Sequence, residues 1–402
     1  MKLRNLDGII KNSAEDFIVE EISGDVPRVD GGKYTILQVR LKNWDTNRFV
    51  SVASSILKIS RKRITFAGTK DKKGITTQYF CINGNYSNEL ENLSDCEIMD
   101  IFQTDRMLTL GDLRGNSFRI RLNLEQDALT NINERNDKII EKGGYWNLYG
   151  SQRFGTTRSI THLVGEMIVK GNFESAVKTY LYNSSTDKET FRVNLSLNWD
   201  YKAGLKEYPE YLNFERAILS SLSSGGRYED AFDGLPRSLK IMFVHAFQSM
   251  MFNRMLELRS CTVSDPSEVL AGDYVQGMDE YSNTKGELIE VTEFNVEKIN
   301  ELSRRGKVTA VMPLVGYETM KQTGRPGEIV DSVCKEFDVK GEMFRIEKKM
   351  DMSSSGNYRG GQIHSKRVHG SRQLGFFFAG QGDICHRSFG TASQLIKIKI
   401  IG

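Results

Sequence analysis

The chain has 402 residues, 39% of them hydrophobic and 27% charged, with only 6 prolines. That profile excludes a disordered or fibrous protein, and the length is enough for two or three cores, so at least two domains are expected. A formal net charge of +3 does not announce a nucleic-acid binder; where the positive charge sits decides that question.

The first stretch, "MKLRNLDGIIKNSAEDF", has no apolar core like that of a signal peptide. Nothing further along approaches the roughly 18 uninterrupted apolar residues of a membrane span, so a cytoplasmic protein without membrane contact is expected. Cys81, Cys96, Cys261, Cys334 and Cys385 are scattered, with no CxxC pair and no Cys/His set at ligand spacing. Reduced thiols and no metal site are therefore expected.

In "DTNRFVSVASSILKIS", Phe49, Val52, Ala53, Ile56 and Leu57 fall on one helical face, with Asp45 or Thr46 as the cap. The helix feeds a short strand, "RITFAG", then a charged turn, then a strand rich in β-branched and aromatic residues, "TTQYFCI". The whole stretch 61–80, "RKRITFAGTKDKKGITTQYF", sets Arg61, Lys62, Arg63, Lys70, Lys72 and Lys73 around one acid, Asp71. Positive neighbours favour the ionised form of Asp71, and a fixed carboxylate serves as nucleophile, general base, metal ligand or plain ion-pair partner. Gly68 and Gly74 bracket the turn and allow close backbone approach, and no Gly-Lys-Ser/Thr follows to make it a nucleotide loop. The basic residues would suit the phosphates of a polynucleotide.

Further on, "RGNSFRIRLNL" alternates, with Asn116, Phe118, Ile120 and Leu122 on one side and Arg119 and Arg121 on the other. Phe118 offers an aromatic platform and Asn116 an amide that can read a base edge. After "NLYGSQRFG" the texture turns helical from about 156 to about 342, including "PRSLKIMFVHAFQSMMFNRMLELR", whose methionines and aromatics read as core. Strand texture returns in "GEMFRIEKK", "LGFFFAG" and "ASQLIKIKIIG". A second basic run, 358–372, holds Arg359, Lys366, Arg367 and Arg372 without an acid. An α+β protein is expected, with a β-rich domain interrupted by a helical one.

"GTKDKKGITTQ" resembles the signature of the tRNA pseudouridine synthase D (TruD) family, and "NSAEDFIVEE", "RGNSFRIRL", "NLYGSQRFG", "HAFQSMMFN" and "RSFGTAS" resemble its other blocks in the same order. The resemblance runs nearly end to end. It implies a pseudouridine synthase mixed-sheet catalytic domain in two parts, 1–155 and 343–402, around a helix-rich TRUD insertion domain at 156–342. It implies a uridine in RNA as substrate, typically position 13 of tRNA with other RNAs left open, and neither cofactor nor metal; no obligate protein partner is evident.

Residue by residue, it implies that Asp71 is the catalyst, that Lys11 stands near it, and that Phe17 helps line the uracil site. Asn116 and Phe118 would contact and stack on the target base, with Phe389 as a further pocket aromatic; the base would be flipped out of its stack. Arg61, Lys62, Arg63, Lys70, Lys72, Lys73 and Arg359 are the candidates for the RNA backbone. Whether the carboxylate attacks the sugar, attacks the base or takes a ribose proton stays open. The family prefers Ala where Gly74 stands, a change expected to loosen the turn, and the Arg-Glu that follows its "SFGT" block is replaced by "SQLIKIK". The competing reading is a non-catalytic RNA-binding protein or chaperone that keeps the basic cleft. A glycoside hydrolase is disfavoured, because it normally needs two carboxylates and the motif holds one, although Glu20 or Glu21 could stand near in space, which keeps that alternative open.

Overall fold

The computed structural model describes residues 13–70, 72–86, 90, 93–120, 137–139, 141–142, 144–279, 284–364, 374–378 and 393–398. The first part supplies β1 (Phe17–Ser23), β2 (Tyr34–Lys42), α1 (Thr46–Ile56), β3 (Ile64–Phe66), β4 (Ile75–Asn83), β5 (Cys96–Thr104) and β6 (Leu113–Ile120). A long middle part follows. Its members are β7 (Gly144–Trp146), α2 (Thr161–Val169), α3 (Phe173–Leu181), α4 (Thr190–Asn198), α5 (Tyr201–Glu207), α6 (Asn213–Ser223), α7 (Arg237–Ser260), β8 (Tyr274–Met278), β9 (Thr284–Glu290), α8 (Val296–Arg304), β10 (Val308–Leu314), α9 (Gly324–Glu336), β11 (Asn357–Gly360) and β12 (Gln362–His364). The chain then adds β13 (Leu374–Phe378) and β14 (Ser393–Ile398).

Among the described residues eight strands form one sheet, in the order β13-β14-β6-β1-β4-β2-β5 with β3 also on β4. It is mixed: β1 runs parallel to β4 and β14 parallel to β6, while the other pairs are antiparallel. A strand from the end of the sequence thus lies beside β6, pairing Gln394 with Asn116 in register.

Helix α1 forms because Asp45 accepts from the Arg48 N–H at 2.9 Å and satisfies one first-turn donor. It covers the β2/β4 part of the sheet, with Phe49 and Phe80 ring centroids 4.2 Å apart. Its buried face is Thr46, Phe49, Val50, Ala53 and Ser54, turned from the expected one, so that Ile56 at the last turn is exposed.

The larger core gathers round α7, where Phe243, Phe247, Met251, Phe252 and Met255 are buried, as its sequence texture suggested. Pro236 is the residue before this helix, where its missing N–H costs nothing. Two features of the middle part differ from the expected pattern. It contains a sheet of its own, β11-β10-β8-β9. And the strand expected at 341–349 is instead two short 3-10 turns, Gly341–Phe344 and Glu347–Met352. The physical cause is packing: Phe344 stacks on Phe247 at 6.0 Å, and both Phe344 and Met352 are drawn into the α7 core.

Between the large sheet and the α7 core, β7 and β12 pair with each other, so the outgoing and returning chains run side by side. No helix among the described residues is long and apolar enough to cross a membrane.

Candidate active site

The site is built on one face of the middle strands. Antiparallel pairing sets Phe17, Val19 and Glu21 of β1 opposite Ile120, Phe118 and Asn116 of β6, and facing residues share a sheet face. The Phe17 and Phe118 rings meet edge to face, with centroids 6.0 Å apart. Two positions along, Asn116 is 4% exposed, and its Oδ1 has no hydrogen-bond partner among the described residues. A buried amide oxygen left unpaired costs about 1–3 kcal/mol, so its persistence calls for an explanation.

Strands β1 and β3 share one edge of β4, β1 pairing with Ile75–Thr77 and β3 with Phe80–Ile82. Residues 67–74, which connect β3 to β4, are anchored from several sides. The Lys70 N–H donates to Thr46 Oγ1 at 2.9 Å, and that hydroxyl donates to Gln78 Oε1 at 2.9 Å. Gln78 Nε2 in turn donates to the Gly68 carbonyl. Lys70 Nζ donates to Glu21 Oε2 at 2.9 Å, with the two side chains 5% and 1% exposed. Burial pushes the Glu21 carboxyl above the usual range, while the Lys70 ammonium pulls it back.

Gly74 closes the segment. Its N–H and carbonyl bond to the Asn43 side chain and N–H, at 3.3 and 2.9 Å. Gly74 has φ +133°, and a Cβ there would stand 2.5 Å from the Phe17 carbonyl oxygen. The glycine expected to loosen the turn is therefore what lets it close on β1.

Phe17, Asn116 and Phe118 are brought together; Asp71, Lys11 and Phe389 lie outside the described residues. Two backbone candidates are corrected. Lys70 is buried against Glu21, and Arg359 is 3% exposed, its guanidinium 3.9 Å above the Tyr149 ring and donating to Asn147 Oδ1. Neither presents its charge to a phosphate. Arg61, Lys62 and Arg63 are exposed, but they precede Ile64, which pairs with Ile82, whereas the loop rejoins β4 at Ile75. At ~3.3 Å per residue that separates them from the end of the loop that rejoins β4 by on the order of 20 Å. Of the six cations that crowd Asp71 in sequence, Lys72 and Lys73 are the exposed ones in its own loop.

In the sequence Thr46 reads only as a candidate helix cap and Glu21 only as a carboxylate that could stand near Asp71, and Gln78 is not singled out. Gln78 lay inside the quoted motif and Glu21 inside "VEE", but only the register shows that all three converge on residues 68–70.

The sequence model of the family described as tRNA pseudouridine synthase D (TruD) matches residues 1–378. A Picrophilus torridus protein described as a probable tRNA pseudouridine synthase D is 45% identical over 362 residues, covering 89% of this chain and 86% of that protein. A Thermoplasma acidophilum protein of the same description is 42% identical over 351 residues, covering 87% and 84%. A crystal structure from Methanosarcina mazei, described as a tRNA pseudouridine synthase D (TruD), aligns with a TM-score of 0.79 at 36% identity, covering 89% of this chain and 84% of that one. Fold and sequence together define a pseudouridine synthase, an isomerase. More narrowly, the chain belongs to the tRNA pseudouridine synthase D (TruD) family.

Proposed function

We propose that this enzyme isomerises uridine 13 of tRNA to pseudouridine, with Asp71 as the catalytic carboxylate. The observation that carries the reading is the buried Oδ1 of Asn116, without a partner among the described residues and set beside the Phe17–Phe118 ring pair on the strand face that residue 70 reaches through Glu21. An acceptor in that position suits the imide N–H of a flipped uracil, and the rings replace the stacking that the base gives up.

The reaction breaks the bond from N1 to the ribose, turns the base and joins C5 to the same carbon, with no redox change. Asp71 serves the sugar or the base, and Lys11 holds its carboxylate in line. Phe389 completes the pocket. Lys72 and Lys73 meet phosphates near the target, while Arg61, Lys62 and Arg63 meet a more distant part of the RNA. The catalytic domain is assembled from both ends of the sequence, 1–155 and the strands after β12. The insertion begins at 156 and runs beyond 342 to about residue 360, because β11 pairs with β10.

The test is pseudouridine formation on unmodified tRNA, mapped by position, for the native enzyme and Asp71→Asn. One modified uridine at position 13 is expected from the native enzyme, and none from the variant at equal tRNA binding. Product from Asp71→Asn removes the aspartate from the mechanism. Modification at another position instead removes the assignment of uridine 13.

A further inference from the structure

Lys70 immediately precedes Asp71 in the chain, and both of its polar ends are engaged: the N–H by Thr46 and Nζ by Glu21. The partner carboxylate belongs to β1, directly opposite Asn116 on β6. This pair therefore links the loop to the strand that faces the amide at the heart of the site.

Stability is a poor reason for such a pair. Two charges removed from water cost about as much as their attraction returns, and well-packed neutral groups of the same volume do as well or better. The raised Glu21 carboxyl reflects that cost. Phosphate binding is no better a reason, since the ammonium is buried and already bonded. What a buried ion pair supplies that apolar packing does not is a directional tie, fixed in length and in the partner it accepts.

We propose that Glu21 and Lys70 act as one positioning unit for the catalytic loop, fixing residue 70, the chain neighbour of Asp71, so that the catalytic carboxylate meets the target nucleotide. The inference rests on the reading of Asp71 as the catalyst. Neither residue touches substrate; both act through Asp71. The expected signature is a loss in kcat with tRNA affinity and KM kept, since a reacting group displaced by about 1 Å costs on the order of 100-fold in rate while the binding surface stays intact.

The decisive protein is the double variant Glu21→Gln/Lys70→Met, which removes both charges at nearly constant volume and leaves no buried ion unpaired. With single-turnover rates, KM and tRNA Kd measured beside Glu21→Gln, Lys70→Met and Asp71→Asn, the double variant should melt near the native temperature. It should bind tRNA within about 3-fold of native and lose on the order of 100-fold in kcat. It should be no slower than the slower single variant, because the two residues work as a unit. A folded double variant with kcat within about 3-fold of native overturns the proposal. So does a loss that falls on Kd with kcat kept, which would make Lys70 a contact for RNA. Activity persisting in Asp71→Asn sinks the underlying assignment of the catalyst instead, so the two failures are told apart.

Discussion

Asn253, in the second half of α7, clamps the backbone of Tyr149: its Oδ1 accepts from the Tyr149 N–H at 2.8 Å and its Nδ2 donates to the Tyr149 carbonyl at 3.0 Å. The chain is thereby tied to α7 just after it leaves the large sheet. Two residues earlier, Asn147 bonds through its N–H to the Gly361 carbonyl and through Nδ2 to the Gly360 carbonyl, which knits the outgoing chain to the returning one. The family blocks "NLYGSQRFG" and "HAFQSMMFN", nearly a hundred residues apart, meet at this clamp.

Asn253→Ala removes both partners of a half-buried peptide group. At about 1–3 kcal/mol for each group left unsatisfied, the expected loss is roughly 2–4 kcal/mol, because water reaches part of the gap. Urea unfolding reads it directly. A midpoint unchanged from native would mean that Tyr149 is held by the contacts of its ring with Phe252 and Arg359.

Gly165 in α2 sets two tendencies against each other. In an open helix Gly→Ala adds about 1 kcal/mol of stability. Here the new Cβ would stand 1.9 Å from the Phe243 carbonyl oxygen, so α2 must move off α7. Overpacking of this kind costs about 1–3 kcal/mol, and more where backbone has to shift. Gly165→Ala should therefore lower the melting temperature, by several degrees for a core contact of this size. A rise would show that the two helices lie further apart than the structure places them.

His245 on α7 carries a stability term that depends on pH. Burial, aided by the Arg153 guanidinium, pushes its imidazole down from 6.5 to about 4. The folded chain therefore holds it neutral where the unfolded chain has begun to take up a proton. Its contribution is complete above pH 6.5 and is lost as pH falls towards 4. At 1.36 kcal/mol per pKa unit the term amounts to roughly 3 kcal/mol at most. Comparing urea unfolding at pH 7 and pH 5 for native and His245→Gln isolates it from the carboxylates, which titrate in both. The native protein should lose more stability than the variant; equal losses would place His245 in contact with water.

The strands of the site were legible because their patterns are local. Asn116, Phe118 and Ile120 alternate on β6, and β4 is rich in β-branched and aromatic residues. The charge cluster around Asp71 was not legible, because closeness in sequence is not closeness in space once β3 and β4 run antiparallel. Arg61–Arg63 leave at one end of β4 while the loop returns at the other, and Lys70 turns inward to a carboxylate that only the β1 register supplies. Arg359 misled for a related reason. A run without acids reads as a solvated face, yet its partners Asn147 and Tyr149 come from more than two hundred residues away. The buried strand β10, "VTAVMPL", is a short apolar run with no period to separate it from a helix.

Asn116 offers a test in which stability and activity separate. In the free enzyme its Oδ1 is buried without a partner among the described residues, so the amide already bears a desolvation cost. Removing it in Asn116→Ala leaves a small gap on the strand face but also relieves that cost, and the two effects oppose. Unfolding free energy should stay within about 1 kcal/mol of native. On the proposed function the same oxygen gains a partner from the flipped base in the complex, so its removal should cost one buried hydrogen bond, about 1.4–3 kcal/mol, or roughly 10- to 100-fold in kcat/KM. Urea unfolding and steady-state kinetics on one preparation decide it. A variant both markedly less stable and fully active would reverse the expectation and make Asn116 a structural residue that the substrate never meets.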